Sequence, residues 1–184
     1  MRRAFLSVLL LVSAFLFVPA SPATAAPYCG LVWGSLEKSA SGLPAGGRAQ
    51  GRVVNVRTGQ HACYDRFVVD VDGAVGGYTA RYVPHVVQDA SGALIPTRGG
   101  AALQITVQAP AYTHNAVPTY RPADPLELTN VARYRPFRQV VLAGTFEGYT
   151  SVGIGVRARL PYRVLVLDGP GTGSRVVVDV AHRW

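Results

Sequence analysis

From residue 50 onward, short apolar runs alternate with polar punctuation, and within the runs the side chains alternate with a period of two. Runs rich in Val, Ile, Tyr and Phe occupy residues 52–58, 66–71, 78–87, 102–108, 139–146, 149–157, 162–167 and 175–180. Between them stand Asp72-Gly73, Ser91-Gly92, Arg98-Gly99-Gly100, Glu147-Gly148 and Asp168-Gly169-Pro170-Gly171, residues that suit tight turns. Each run reads as a strand, and the set predicts an all-β domain: a sandwich of two mainly antiparallel sheets. No segment supports a long amphipathic helix. One stretch breaks the rhythm. Residues 110–136 carry Pro110, Pro118, Pro122, Pro125 and Pro136 and leave room for at most one helical turn around 128–134. So long a Pro-rich connection is either a cross-over between sheets or a functional loop.

The chain before residue 50 has a different texture. Residues 27–49 are rich in Gly, Ser and Ala and read as an N-terminal arm, with Trp33 expected to plug an edge of the core. Residues 1–25 read as a signal peptide. Arg2 and Arg3 precede an apolar run from 4 to 18, and Ala23-Thr24-Ala25 fits small-x-small cleavage ahead of Ala26. The run is shorter than the roughly 20 residues that span a bilayer, and no transmembrane segment is expected after cleavage. The arginine pair lacks the polar residue a twin-arginine signal would place before it, which favours the general export route. Cys29 follows Ala26-Pro27-Tyr28 rather than a lipid-attachment box, so no lipoprotein is expected. The expected layout is a signal at 1–25, an arm at 26–49 and a β-domain at 50–184, secreted and free or held at the cell wall non-covalently.

Export decides how the cysteines are read. Cys29 and Cys63 are the only two, and in an oxidising compartment an isolated pair is most simply a disulfide. The bond would close a loop of about 35 residues and contribute roughly 4 kcal/mol on the chain-entropy model. His61-Ala62-Cys63-Tyr64-Asp65 sets three ligand types at alternate positions, but one strand cannot surround a zinc without a fourth ligand. No metal is expected. The formal charge of +8 falls to +6 once Arg2 and Arg3 leave with the signal, and Lys38 is the only lysine. The arginines are scattered rather than clustered in a run or on a helix face, which argues against nucleic acid. The anionic partners at hand outside a cell are wall polymers, carboxylated peptides and phospholipid head groups.

Catalytic patterns are missing from the sequence. Gly148-Tyr149-Thr150-Ser151-Val152-Gly153 has the wrong spacing for a nucleophile elbow. His61, His85, His114 and His182 are isolated, and Glu147 and Asp168, the best candidates for a carboxylate pair, fall in turns. Gly169-Pro170-Gly171-Thr172-Gly173 has no lysine or helix after it, so it is a hairpin connection rather than a phosphate loop. Asp70-Val71-Asp72-Gly73 lacks the later acids of a calcium loop. No catalytic residue and no cofactor is assigned, and the chain is not expected to be an enzyme.

The most specific feature is an internal echo. Asp65-Arg66-Phe67-Val68-Val69-Asp70-Val71 recurs as Ser174-Arg175-Val176-Val177-Val178-Asp179-Val180. In each copy three apolar residues share one face, and Arg and Asp lie on the other. If the copies are antiparallel neighbours, Arg66 meets Asp179 and Arg175 meets Asp70. These four are the first candidate ligand-binding residues. Two basic-aromatic groups add to them: Arg133, Arg135 and Arg138 with Tyr134, and Arg157, Arg159 and Arg163 with Tyr162. Guanidinium forks suit carboxylates and phosphates, so Arg157, Arg159 and Tyr162 join the candidates.

The ordered set of short motifs resembles a family. Trp33-Gly34-Ser35-Leu36-Glu37-Lys38, His61-x-Cys63-Tyr64-Asp65-Arg66-Phe67-Val68-Val69-Asp70, Gly77-Tyr78, Arg81-Tyr82-Val83, Phe146-Glu147-Gly148, Gly153-Ile154-Gly155, Pro161-Tyr162-Arg163-Val164 and the closing echo are similar to the AMIN-like domain of exported actinobacterial proteins. The resemblance implies a β-sandwich related to the AMIN domains that target cell-wall amidases and secretion-pore proteins to peptidoglycan, and it implies no catalysis. The expected function is that of a secreted, monomeric module that binds peptidoglycan or another anionic glycan of the wall. A secreted hydrolase acting on wall material, and a protein-interaction or inhibitor domain using residues 110–136, are the alternatives.

Overall fold

The computed structural model describes residues 27–43, 46–47 and 50–184; the signal peptide expected at 1–25 lies outside the described residues. The strands are β1 (Lys38–Ser41), β2 (Val53–Gln60), β3 (Tyr64–Val71), β4 (Gly77–Val83), β5 (Val86–Val87), β6 (Leu94–Ile95), β7 (Ala101–Val107), β8 (Phe137–Phe146), β9 (Tyr149–Val156), β10 (Tyr162–Asp168) and β11 (Ser174–Ala181). They build a five-stranded sheet of order β1-β4-β7-β9-β8, a four-stranded sheet of order β10-β11-β3-β2 and the small β5-β6 hairpin. Every pairing is antiparallel.

The two main sheets pack face to face, as the alternation predicts. Phe67, Val69, Val71, Val176, Val178 and Val180 of the four-stranded sheet meet Leu103, Ile105, Val107, Val152, Ile154 and Val156 of the five-stranded one in a single core. Burying side chains of this size stabilises by roughly 1.5–3 kcal/mol each. A bulge in β2 between Val53 and Asn55 lets Val53 and Val56, of opposite parity, both reach that core. Val54 is left 40% exposed on the bulge.

Three segments depart from the sequence expectation. The run at 78–87 is broken, because Pro84 has no N–H to continue a ladder. After β4 the chain crosses the outer face of the five-stranded sheet, where Val86 packs on Val141 and Ala143. The crossing is so close that a Cβ at Gly155 would run into the carbonyl oxygen of Arg98. The arm supplies β1, an edge strand on β4, and Trp33 does not plug the core. It lies on the outer side of the four-stranded sheet, its ring centre 5.9 Å from that of Tyr64. The Pro-rich stretch starts after β7 and ends at β8, both in the five-stranded sheet, so it is not a cross-over between sheets. Its backbone accepts from Val53 N–H at Pro110 and from Leu142 N–H at Pro125, and Leu128 N–H donates to Val140. Those bonds close one flank of the sandwich over β2 and β8. The arm closes the other: Tyr162 N–H donates to Gly34 C=O on the β10 edge, and β1 follows on the β4 edge. The expected disulfide, Cys29–Cys63, ties the arm's start to the turn before β3.

Candidate functional site

The register of the four-stranded sheet lays the echo residues out in rows on its outer face. One row reads Leu167, Arg175, Asp70, Asn55; the next Leu165, Val177, Val68, Arg57; the third Arg163, Asp179, Arg66, Gly59. The copies are antiparallel neighbours, as the sequence suggested. Val68 and Val177 are 2% and 1% exposed although they face outward, because the aliphatic stems of long neighbouring side chains flank them.

The two Arg/Asp meetings expected from the echo come out differently. Arg66 donates to Asp179 from Nε at 2.6 Å and from Nη2 at 2.9 Å, a two-point bond of the strong class. Asp179 also accepts from Arg163 Nε at 2.8 Å and is fully buried. The bond to Asp179 raises the Arg66 pKa further, outweighing the opposing effect of burial. The Arg163 guanidinium sits between the rings of Trp33 and Tyr64, 5.5 and 5.3 Å from their centres, and His61 stacks on Tyr64 at 4.5 Å. Arg175 and Asp70 are opposed in register but do not pair. Asp70 is taken by Arg57 of β2, with Nε at 2.8 Å and Nη2 at 3.0 Å, and Asn55 Nδ2 adds a third donor at 3.3 Å. Arg175 turns the other way and donates from Nε and Nη2 to the carbonyl of Asp168. A third strand reached the carboxylate first.

A groove of about 570 Å³ opens beside this row, between the β2 bulge and the Pro170–Gly173 turn, with Arg57, Asp70, Asp72 and Arg175 on its walls. The remaining candidates play structural parts. Tyr162 is not a ligand platform. It is fully buried, its one hydroxyl proton is shared between Ala80 C=O at 2.6 Å and Leu36 C=O at 2.8 Å, and burial pushes its pKa up to about 12. Arg157 donates to His182 C=O. Arg159 donates to Ser35 C=O at 3.0 Å and lies over the Tyr82 ring, so both fasten chain segments. In the other basic group, Arg138 donates to the carbonyls of Arg135 and Phe137.

Sequence reasoning missed two features. Arg57 completes the outer face beside Arg163, which the sequence had placed only in the basic-aromatic group with Tyr162, and the signal for Arg57 was its parity with Asn55 on a strand already expected. Asp65 of the first echo copy points to the core side, accepting from Arg135 N–H at 2.8 Å and lying 3.1 Å from Nε2 of the buried His182. Elsewhere the Pro-rich stretch and β8 enclose an apolar groove of about 490 Å³ among Tyr112, Pro118, Tyr120 and Phe146. Among the described residues no three His, Cys, Asp or Glu side chains gather as a metal site, and no helix is long and apolar enough to cross a membrane.

Compared with curated proteins, the chain matches none. The family model of the AMIN-like domain matches residues 51–182, a span that runs from the entry into β2 to the end of β11, and the chain belongs to that family.

Proposed function

We propose that the protein is a secreted, non-enzymatic binding module of the cell envelope, whose ligand is peptidoglycan or another anionic wall polymer. Membership of the AMIN-like family and the disulfide support export and envelope targeting. In this reading residues 1–25 are removed as a signal, residues 26–49 form the strapped arm and residues 50–184 the binding domain, acting as a monomer. The observation that carries the reading is the outer face of the four-stranded sheet. Arg57, Arg66, Arg163 and Arg175 stand there against the two carboxylates Asp70 and Asp179, bordered by Trp33 and Tyr64. An excess of forked cations beside aromatic rings suits a polymer that carries both carboxylates and sugar faces.

Co-sedimentation of residues 26–184 with purified wall sacculi, at low and high salt, tests it. The domain pellets at low salt and is partly released at high salt, because exposed charge attraction is screened. Failure to pellet at either salt refutes the reading and favours a protein partner at the Pro-rich stretch. Release of soluble wall fragments during the incubation favours the hydrolase alternative instead.

A further inference from the structure

We propose that the groove beside Arg175 receives a short peptide bearing both a free carboxylate and a free amine, so that this groove takes the peptide part of the wall and not its glycan. The inference rests on the envelope-binding reading and narrows it. Among the described residues no aromatic side chain lines this groove, and they offer no flat face for a sugar ring there. Its walls carry charge of both signs, which a neutral or purely acidic glycan leaves half unmatched.

Two of those charges are spent on each other and two are open. Arg57 and Asp70 are closed in their two-point bond. Arg175 is anchored through Nε and Nη2 on a main-chain carbonyl, which fixes the guanidinium without neutralising it. Its Nη1 has no hydrogen-bond partner among the described residues and is free to take a carboxylate. Asp72 accepts the Arg52 main-chain N–H through Oδ1, while its Oδ2 lies 3.7 Å from Arg52 Nη1 with both side chains more than a third exposed. Such a pair is weak, and the carboxylate remains open to an ammonium. Asp72 is two residues beyond the Asp70 that opposes Arg175, about 7 Å along the strand. That offset between the two backbone positions is about the length of two extended residues. Between them Val54, on its bulge, and Pro170 offer small apolar contacts.

The test uses the domain at 26–184, the tripeptide Ala-Ala-Ala with free termini, the same tripeptide acetylated and amidated, and an N-acetylglucosamine tetramer. Backbone amide shifts are followed by NMR. The free tripeptide moves the signals of residues 54–57, 70–73 and 171–175. Blocking its termini, or substituting Arg175→Glu or Asp72→Asn, weakens binding about tenfold or more, the size of one charge-assisted hydrogen bond. The sugar tetramer leaves these signals in place. Tetramer-induced shifts at the groove, or tripeptide binding indifferent to both substitutions, overturn the proposal. Sedimentation with sacculi separates the two readings. If wild type pellets and both variants pellet equally well, the envelope reading stands and the groove assignment falls. If wild type does not pellet but the tripeptide still binds at the groove, the peptide site stands and the wall as its source falls.

Discussion

Asp179 is the residue on which the outer face turns. It is buried, it serves two arginines, and each of those has a side chain only 24% exposed. Removing one partner of a buried charge cluster leaves the others uncompensated and typically costs about 3–5 kcal/mol. We therefore expect Asp179→Ala to lower the unfolding free energy by about that amount in urea titration. Asp70→Ala should cost about 1 kcal/mol or less, since Arg57 is half-exposed and rehydrates. Equal losses for the two would contradict this ranking. The echo made Arg66 and Asp179 legible because antiparallel neighbours bring them together in register. It could not reveal Arg57, because which strand wins a shared carboxylate depends on three strands and not on two. A second residue-scale effect concerns Asp89. Burial raises its pKa above the ordinary carboxylate value, and one of its oxygens has no hydrogen-bond partner among the described residues. A raised folded-state value means that the favourable contribution is complete below the unfolded carboxylate range. It is lost as pH climbs through the folded value. Asp89→Asn, which cannot ionise, should raise the melting temperature at neutral pH, and the two proteins should converge in acid. A variant less stable at pH 7 than the wild type would reverse that sign.

Elements form here for two different reasons, and only one shows in sequence. The eight inner runs alternate apolar and polar because one face of each must be buried, so their periodicity survives as a pattern. β1 reads Lys38-Ser39-Ala40-Ser41 and exists only because the free edge of β4 needs hydrogen-bond partners. The β5-β6 hairpin exists because a chain turned aside at Pro84 must be packed over β8 and β9. Neither cause leaves a period of two. The same edge logic makes β10 testable. Tyr162 N–H points away from β11 to Gly34, while Ala181 N–H reaches back to Pro161 C=O. In an antiparallel strand these directions alternate. Val166 therefore presents its N–H to the open edge, and Leu165 gives its own to β11. Proline is tolerated on the open side of an edge strand and not within a ladder. Val166→Pro should cost about 1 kcal/mol, and Leu165→Pro about 2 kcal/mol or more from the lost bond and the carbonyl it orphans. Chemical denaturation of the two variants measures the difference, and comparable losses would show that the edge is not open.

At the scale of the whole molecule, the sandwich has two open flanks, and two irregular segments close them. The Pro-rich stretch does so with bonds spread along its length, whereas the arm depends on a few fastenings near its start. These are the Cys29–Cys63 bond, the Trp33 Nε1–H donation to Tyr28 C=O at 2.8 Å, and the Arg183 guanidinium over the Tyr28 ring. Downstream, Gly34 and β1 are held by ladder bonds that do not pass through the disulfide. Cutting the disulfide should therefore act in two separable ways. Globally, opening the cross-link returns entropy to the unfolded chain and lowers stability by roughly 2–4 kcal/mol, read as a shift of the urea midpoint in the Cys29→Ser, Cys63→Ser variant. Locally, residues 28–33 should lose hydrogen-exchange protection while β3, β9 and β11 keep theirs under native conditions. Because Trp33 forms one wall around Arg163, its release should also quench less and shift the indole fluorescence toward the red. If protection fell evenly across both sheets, the disulfide would be a support of the core rather than the fastener of a strap. If the arm stayed protected, the ladder bonds at Gly34 and β1 would suffice alone to hold Trp33 beside the arginines.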